Sequence, residues 1–398
     1  MKTILLTMNY SSIRNVAEDI AQVLRKNGEI VTISTNPYLI PQSDKLIIFM
    51  PFHPPSLNPY LYTFREFKGK KYFYTTCDGQ PNLNIVNQYL LENIIFIPNS
   101  KFTAQNLQEV GLQTDLPVFH GINFEIVEKA EQLAIQLKQK IDKDFPDTIK
   151  FGIVSGLTKR KNMDLMIRVF QEINTKIPDL AKKVHFFVIS HKAFKDFEVP
   201  ENVHFVSEFG YNPREYIYAF YKVMDFTIVP SGTEGFGLPV LESMAMGTPV
   251  IHQLMAPFDE FTSWQWNLLI KSNEVEEYYD KDHGQKWRIH KFDVQDMISA
   301  ILIASELKDR DERSRNLKEL AKRYNIENLY VRFLEWLQEL INRKIYVCHN
   351  IYNCCESMRE IIIECKDFTR FHVKEKKGVQ IKNIINMCQD FGLEVKVY

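Results

Sequence analysis

Glu234 and Glu242, eight positions apart, stand in the stretch PSGTEGFGLPVLESMAMGTPV that runs from Pro230 to Val250. A carboxylate offers two acceptor oxygens and no donor, which suits the vicinal hydroxyls of a ribose or hexose and repels bare phosphate. Between the two acids, Gly235 and Gly237 permit backbone angles and a close ligand approach that a Cβ would obstruct. Pro239 fits a first helical turn, Leu238, Leu241 and Ala245 recur at helical spacing, and Gly247 followed by Pro249 is a stop signal. The spacing predicts a helix over Leu238–Met246, with a buried strand Phe226–Val229 before it and another beginning at Val250. Strand, loop, helix and strand in that order are the grammar of a parallel sheet. Its loops open helices and turn N–H groups towards anions. An anion-friendly helix start between two diol-binding carboxylates is what a nucleoside diphosphate sugar needs.

Further chemistry-bearing residues sit where other predicted strands end. Lys159, Arg160 and Lys161 follow the strand Phe151–Ser155 and precede a helix marked by Met163, Ile167 and Phe170. Mobile positive charge at a helix start is an anion trap. His53 follows the strand Leu46–Met50 in a loop stiffened by Pro51, Pro54 and Pro55, a place from which it can face a cleft or simply support the turn. Asp78 follows the strand Lys71–Thr75 beside Cys77; it could orient or deprotonate an acceptor hydroxyl, or cap a turn.

The supporting elements read as α/β from the first residues. Thr3–Thr7 is a strand, Asn9–Ser12 a polar turn, and Ile13–Lys26 a helix lined by Val16, Ile20, Val23 and Leu24. This opening is Rossmann-like but lacks GxGxxG, which argues against a dinucleotide site. Strands are also predicted at Ile94–Pro98, Val184–Ile189 and Val203–Val206, and helices at Lys101–Glu109, Pro213–Lys222, Met297–Ser305 and Leu317–Tyr324. The acidic and aromatic stretch Glu274–Arg288 reads as an insertion or long loop.

The run EGFGLPVLESMAMGTPVI, Glu234 to Ile251, closely resembles the E-x7-E signature of retaining glycosyltransferases of family 4. That resemblance implies the GT-B fold, two Rossmann-like domains facing across a cleft. It implies an N-terminal acceptor domain over 1–124, a linker helix over 125–147 and a nucleotide-sugar donor domain over 148–325. It implies a helix over 326–342 that crosses back to the first domain; a short α/β extension of unassigned role over 343–398 lies outside the resemblance. It also implies a hexose transferred from a nucleoside diphosphate sugar to a hydroxyl of a glycan, lipid or protein, with retention of configuration and without metal or cofactor. Glu242 would hold the ribose diol and Glu234 would lie near the transferred sugar, with Gly235, Phe236, Gly237 and Leu238 completing the donor loop. His53 is the counterpart of a family histidine beside sugar and acceptor. Cys77 stands where many relatives have the histidine of a histidine–aspartate pair, and Asp78 keeps the acid. Lys161 matches a lysine that grips the donor diphosphate, but the place of its companion arginine is taken by Gly156. Either Arg160 or Lys159 substitutes, or one cation fewer serves. Val118–Asn123, around Gly121, resembles the family's closing element of the first domain. A nucleotide-sugar-binding protein without transferase activity and an epimerase of the same architecture are the alternatives.

Among 398 residues, Lys and Arg number 49 against 50 Asp and Glu, so no global basic field points to nucleic acid. The aromatic and basic stretch Leu57–Tyr74 could meet an anionic lipid surface, or supply ordinary core and edge residues. The first residues hold only a brief apolar run and no stretch of eighteen apolar residues occurs, which reads as a cytoplasmic chain. Only Cys77 precedes the tail, where Cys348, Cys354, Cys355, Cys365 and Cys388 lack the spacing of a zinc site and read as free thiols. In that tail a helix Ser357–Cys365, a strand Phe371–Val373, a helix Ile381–Phe391 and a strand Leu393–Val397 are predicted.

Overall fold

The structure, a computed structural model, describes residues 1–334 and the backbone of three later strands. In chain order the first domain contains β1 Lys2–Thr7, α1 Ser11–Lys26, β2 Ile30–Ser34, β3 Lys45–Pro51, α2 Pro54–Glu66, β4 Lys70–Thr76, β5 Gln80–Pro81, α3 Gln88–Leu91, β6 Ile95–Pro98, α4 Lys101–Gln108 and β7 Gln113–Thr114. All its strands but β5 form one parallel sheet in the order β2-β1-β3-β4-β6-β7. Helices cover both faces, so β3 (KLIIFMP) is apolar almost throughout rather than alternating. Its Ile47 and Phe49 pack towards α1, while Leu46, Ile48 and Met50 pack towards α2.

The helix α5, Phe124–Asp144, starts where the Asn123 side chain accepts from Glu125 N–H at 3.1 Å, and it leads to the second domain. There follow β8 Ile149–Val154, α6 Met163–Lys176, α7 Pro178–Ala181, β9 Val184–Ser190, β10 Val203–Glu208, α8 Arg214–Val223, β11 Phe226–Val229, α9 Leu238–Ala245, β12 Val250–Gln253 and β13 Leu268–Ile270. They build a second parallel sheet, β10-β9-β8-β11-β12-β13. Two facing Rossmann-like domains are therefore present, as the sequence led one to expect.

The stretch expected as a loop is instead a hairpin, β14 Glu274–Asp280 and β15 Gln285–Lys291. Its signal is legible afterwards: Gln285, Trp287 and Ile289 are buried and alternate with exposed Lys286 and Arg288, a period of two. β15 also pairs antiparallel with β5, so a three-stranded sheet joins the two domains.

The helices α10 Val294–Glu306 and α11 Arg310–Lys322 complete the second domain. The chain then returns to the first through α12 Ile326–Leu329 and a 3-10 turn, Tyr330–Phe333. Ile326, Leu329, Tyr330, Phe333 and Leu334 enter the first-domain core beside α1. A continuous helix was expected from Ile326, but it gives way to the 3-10 turn at Tyr330, where Tyr330 and Phe333 are drawn into the first-domain core, and the part expected after Leu334 lies outside the described residues. Where a helix was expected over Ser357–Cys365 there is a strand, β16 Glu360–Glu364, in keeping with three consecutive β-branched isoleucines. It pairs antiparallel with β17 Arg370–Lys374 and β18 Glu394–Lys396. The tail cysteines and the helix expected over Ile381–Phe391 lie outside the described residues.

Much of Leu57–Tyr74 turns inward: Tyr60, Phe64 and Phe73 are buried and Tyr62 is exposed. Its cations are partly tied, Arg65 lying 3.8 Å over the Tyr89 ring and Lys71 donating to Phe64 O at 2.7 Å. Among the described residues no helix is long and apolar enough to cross a membrane.

Candidate active site

Open parallel sheets bind ligands outside the carboxyl ends of their strands, where the strand order reverses. In the second domain that point lies between β8 and β11. The loop leaving β8 carries Lys159–Lys161 in a 3-10 turn, and the loop leaving β11 carries Glu234 to Gly237. The loops are joined through Gly232 N–H, which donates to Arg160 O at 2.8 Å. Asn162, left-handed at φ 50°, fastens the turn by donating from its amide to Pro230 O at 3.0 Å and His290 O at 2.8 Å.

Both cations converge on one acid. Arg160 Nη1 donates to Glu234 Oε2 at 2.9 Å, and Lys161 Nζ pairs with Glu234 Oε1. Burial by itself would push the Glu234 carboxyl up, but Lys161 and then Arg160 outweigh it and hold it at about 2. Burial and the neighbouring Arg160 pull the Lys161 ammonium below its ordinary value. Arg160 thus stands beside Lys161, whereas Lys159 turns to the hairpin, pairing with Glu276 and lying 4.4 Å from the Tyr278 ring centroid. Gly156 gives its space to His191, whose Cε1 would be 3.1 Å from an added Cβ.

Asp78 reaches the same cluster from the first domain. Its Oδ1 accepts from Gly235 N–H at 2.7 Å, and its Oδ2 lies 3.2 Å from Arg160 Nη2. The contact is tightest at Gly235, where a Cβ would overlap Thr76 Oγ1, and whose carbonyl accepts from Ser100 Oγ at 2.7 Å. Phe236 is buried, stacked on Phe261 with centroids 4.8 Å apart and edge-on to His120 at 5.1 Å. Gly237 has φ 97° and opens α9 against Phe258, with no room for a Cβ. Leu238 packs against the cores of both domains.

Glu242, further along α9, has a different environment. Burial drives its carboxyl up to about 7, against the opposing pull of Arg214 and Tyr218. Arg214 also meets Asp19 of α1, Nη1 to Oδ2 at 2.7 Å, and Asp19 Oδ1 accepts from the Asn123 amide at 2.9 Å. Neither Asp19 nor Arg214 was singled out from the sequence, although each carried a signal. Asp19 interrupts the apolar stripe of Val16, Ile20 and Val23, and Arg214 sits at the start of a helix, where the dipole disfavours a cation.

The remaining first-domain residues are differently engaged. His53 Nδ1 lies 2.6 Å from Ser56 Oγ and its Nε2 lies 2.6 Å from Asp282 O at the hairpin tip, so both ring nitrogens have partners in this closed arrangement. Burial lowers its pKa. Cys77 is buried, its thiol pushed up by burial and donating to Gly79 O at 2.7 Å. His120 is buried between Tyr74 Oη at 2.8 Å and the Asn99 amide at 3.0 Å, and burial lowers it to about 3. Tyr74 gives its own proton to Val118 O, so Nδ1 of His120 carries the hydrogen and Nε2 accepts.

Two Rossmann-like domains, closed over a cluster at the switch point of the second sheet, define a GT-B glycosyltransferase architecture. Comparison with known proteins agrees. The model of the family described as glycosyl transferases group 1 matches residues 135–281. The uncharacterised glycosyltransferase 335 of Sulfolobus islandicus rod-shaped virus 1 is 77% identical over 335 residues, which are 84% of this chain and 100% of that protein. A D-inositol 3-phosphate glycosyltransferase of Corynebacterium aurimucosum is 25% identical over 252 residues, 56% of each chain. Among solved structures, Anabaena HepE in complex with UDP and glucose superposes with a TM-score of 0.60 at 13% identity, over 85% of this chain and 100% of that one. Sucrose-phosphate synthase from Thermosynechococcus elongatus gives 0.61 at 14% identity, over 86% and 99%. These two likenesses show the fold. The chain belongs to the group 1 glycosyltransferases.

Proposed function

We propose that this glycosyltransferase is a retaining enzyme of family 4 that moves a hexose from a nucleoside diphosphate sugar to a hydroxyl acceptor. The observation that carries this reading is the convergence of Arg160 and Lys161 beside Glu234 at the switch point. An incoming diphosphate would exchange for Glu234 as the partner of these cations. The same two groups would then take up charge as the nucleoside diphosphate leaves, the role that fixed cations and dipoles serve in a water-poor site. Glu242 would accept from the ribose hydroxyls, and Glu234, once released, would face the sugar. Asp78, held against Gly235, would order the acceptor side. Anabaena HepE, whose fold this chain shares, was solved with UDP-glucose, which supports a nucleotide sugar as the donor. In this reading charge stabilisation comes from side chains, with no metal or cofactor, and the reaction runs in the cytoplasm. The acceptor is a glycan, lipid or protein hydroxyl.

A second reading, a nucleotide-sugar-binding protein without transfer, draws on the engagement of both His53 nitrogens and the burial of Cys77. One experiment separates them. UDP-, GDP-, ADP- and dTDP-sugars are screened by thermal shift against the wild type and Glu242→Ala. A donor present at a hundred times its Kd should stabilise by about 2.7 kcal/mol. Selective stabilisation of the wild type supports the donor site; incubation with acceptor alcohols and NMR of the anomeric proton then reads transfer and its stereochemistry. No shift with any donor sinks the proposal, and a shift without transfer favours the second reading.

A further inference from the structure

The hairpin β14–β15 belongs to the second domain at its base and to the first at its tip. At the base, His290 N–H donates to Gly232 O at 2.8 Å, and His290 O accepts from the amides of Asn162 at 2.8 Å and Gln253 at 3.1 Å. Gly232 lies in the loop that carries Glu234, so the base is fastened to the candidate active site itself. At the tip, Gln285 and Lys286 pair with Pro81 and Gln80 of β5. Gly284 O accepts from Asn82 N–H at 2.8 Å, and the Gln285 amide donates to Phe52 O at 2.6 Å. His53 Nε2 meets Asp282 O at 2.6 Å. Midway, Trp287 is 1% exposed, pressed against Gly79, where an added Cβ would lie 2.8 Å from Trp287 Cδ1. The Trp287 ring centroid is 5.8 Å from Arg160 Cζ.

We propose that this hairpin is an interdomain strap whose tip must leave β5 before the cleft can open. The base is hydrogen-bonded through its backbone to the loop of Glu234, whereas each tip contact is with a first-domain atom, so opening parts the tip from β5 and leaves the base in place. Docking of the strap brings Trp287 against Gly79, beside Asp78, and so supports the cross-domain meeting of Asp78 with Gly235 and Arg160. It also occupies His53, which becomes available only when the strap releases. What enters and leaves through the opened cleft rests on the transferase reading; the mechanical role of the strap does not.

The register supplies the test. Gln80 and Lys286 are antiparallel partners and line one cavity of about 360 Å³, so their side chains share a face. Cross-strand Cα atoms lie about 4.5–5.5 Å apart, within reach of a disulfide. The double variant Gln80→Cys/Lys286→Cys is prepared oxidised and reduced, with both single variants as controls and the bridge verified by mass spectrometry. The readout is hydrogen exchange in peptides spanning 76–80 and 233–237, because Gly235 N–H donates to Asp78 across the cleft. The expected result is at least tenfold slower exchange there on oxidation, and no redox dependence in the single variants. Equal exchange in the bridged and reduced forms would overturn the strap. UDP-glucose is then added to the two forms. Slower onset of its thermal shift in the bridged form adds support for the strap, while slowed exchange with no shift in either form upholds the strap and counts against the transferase reading.

Discussion

Arg214 of the second domain and Asp19 of the first meet at 2.7 Å with their side chains only 11% and 3% exposed, and Glu242 lies within the field of the same arginine. A buried ion pair adds little net stability when intact, because desolvation offsets attraction, but removing one partner strands the other. Asp19→Ala is therefore expected to destabilise the protein by about 3–5 kcal/mol. Urea unfolding of the variant beside the wild type checks this, and a loss below about 0.5 kcal/mol, the size of an ordinary surface change, would contradict it.

The Glu242 carboxyl is driven up to about 7 by burial, so the proposed role of Glu242 in holding the donor ribose predicts a pH dependence of donor binding. A ribose diol is best met by the ionised form with two free acceptor oxygens, so affinity should rise with pH through 7 and level off above it. Two units below that value, donor Kd should have weakened by up to about a hundredfold, in line with 1.36 kcal/mol per unit. Glu242→Gln should flatten the profile, measured by calorimetric titration of the donor between pH 5 and 8.5. An unchanged slope in the variant would assign the titration elsewhere.

Glu234 titrates in the opposite sense. Its folded-state value of about 2 lies below the ordinary 4.5, so the native state favours the ionised form. Its contribution is fully present above about 4.5 and is lost as pH falls from there towards 2. The Tm advantage of wild type over Glu234→Gln should therefore shrink across that window. Calorimetric scans from pH 2 to 6 measure it, and a constant difference would show that Lys161 and Arg160 do not hold the acid as described.

Gly235→Ala places a Cβ onto Thr76 Oγ1, 3.1 Å from Asp78 Oδ1 and 3.2 Å from Cys77 N. Such overpacking costs about 1–3 kcal/mol, here at the contact between the domains. The expected outcome is a lower Tm with faster hydrogen exchange at 76–80, partly restored by Thr76→Ala, which removes the nearest obstructing atom. No restoration in the double variant would mean that the backbone contacts, rather than the hydroxyl, set the fit.

Both Rossmann-like sheets and the main pieces of the candidate site were legible in the chain, because they rest on local rules. Unbroken apolar strands such as β3 announce a sheet covered on both faces, and the glycines and Pro239 around Glu234 and Glu242 specify a loop opening a helix within about twenty residues. The charge at Lys159–Lys161 was equally plain. Tertiary structure decided the partners. Which of three neighbouring cations joins Glu234, and which pairs with Glu276, depends on how a 3-10 turn aims them, and one residue of twist redirects a side chain by roughly a third of a turn. That Asp78 reaches Gly235, that Asp19 reaches Arg214, and that the tip of the Glu274–Lys291 hairpin pairs with Gln80 and Pro81 are contacts between residues at least 157 positions apart. Such contacts form only when two separately folded domains close on one another, and no local pattern in the chain encodes their distance.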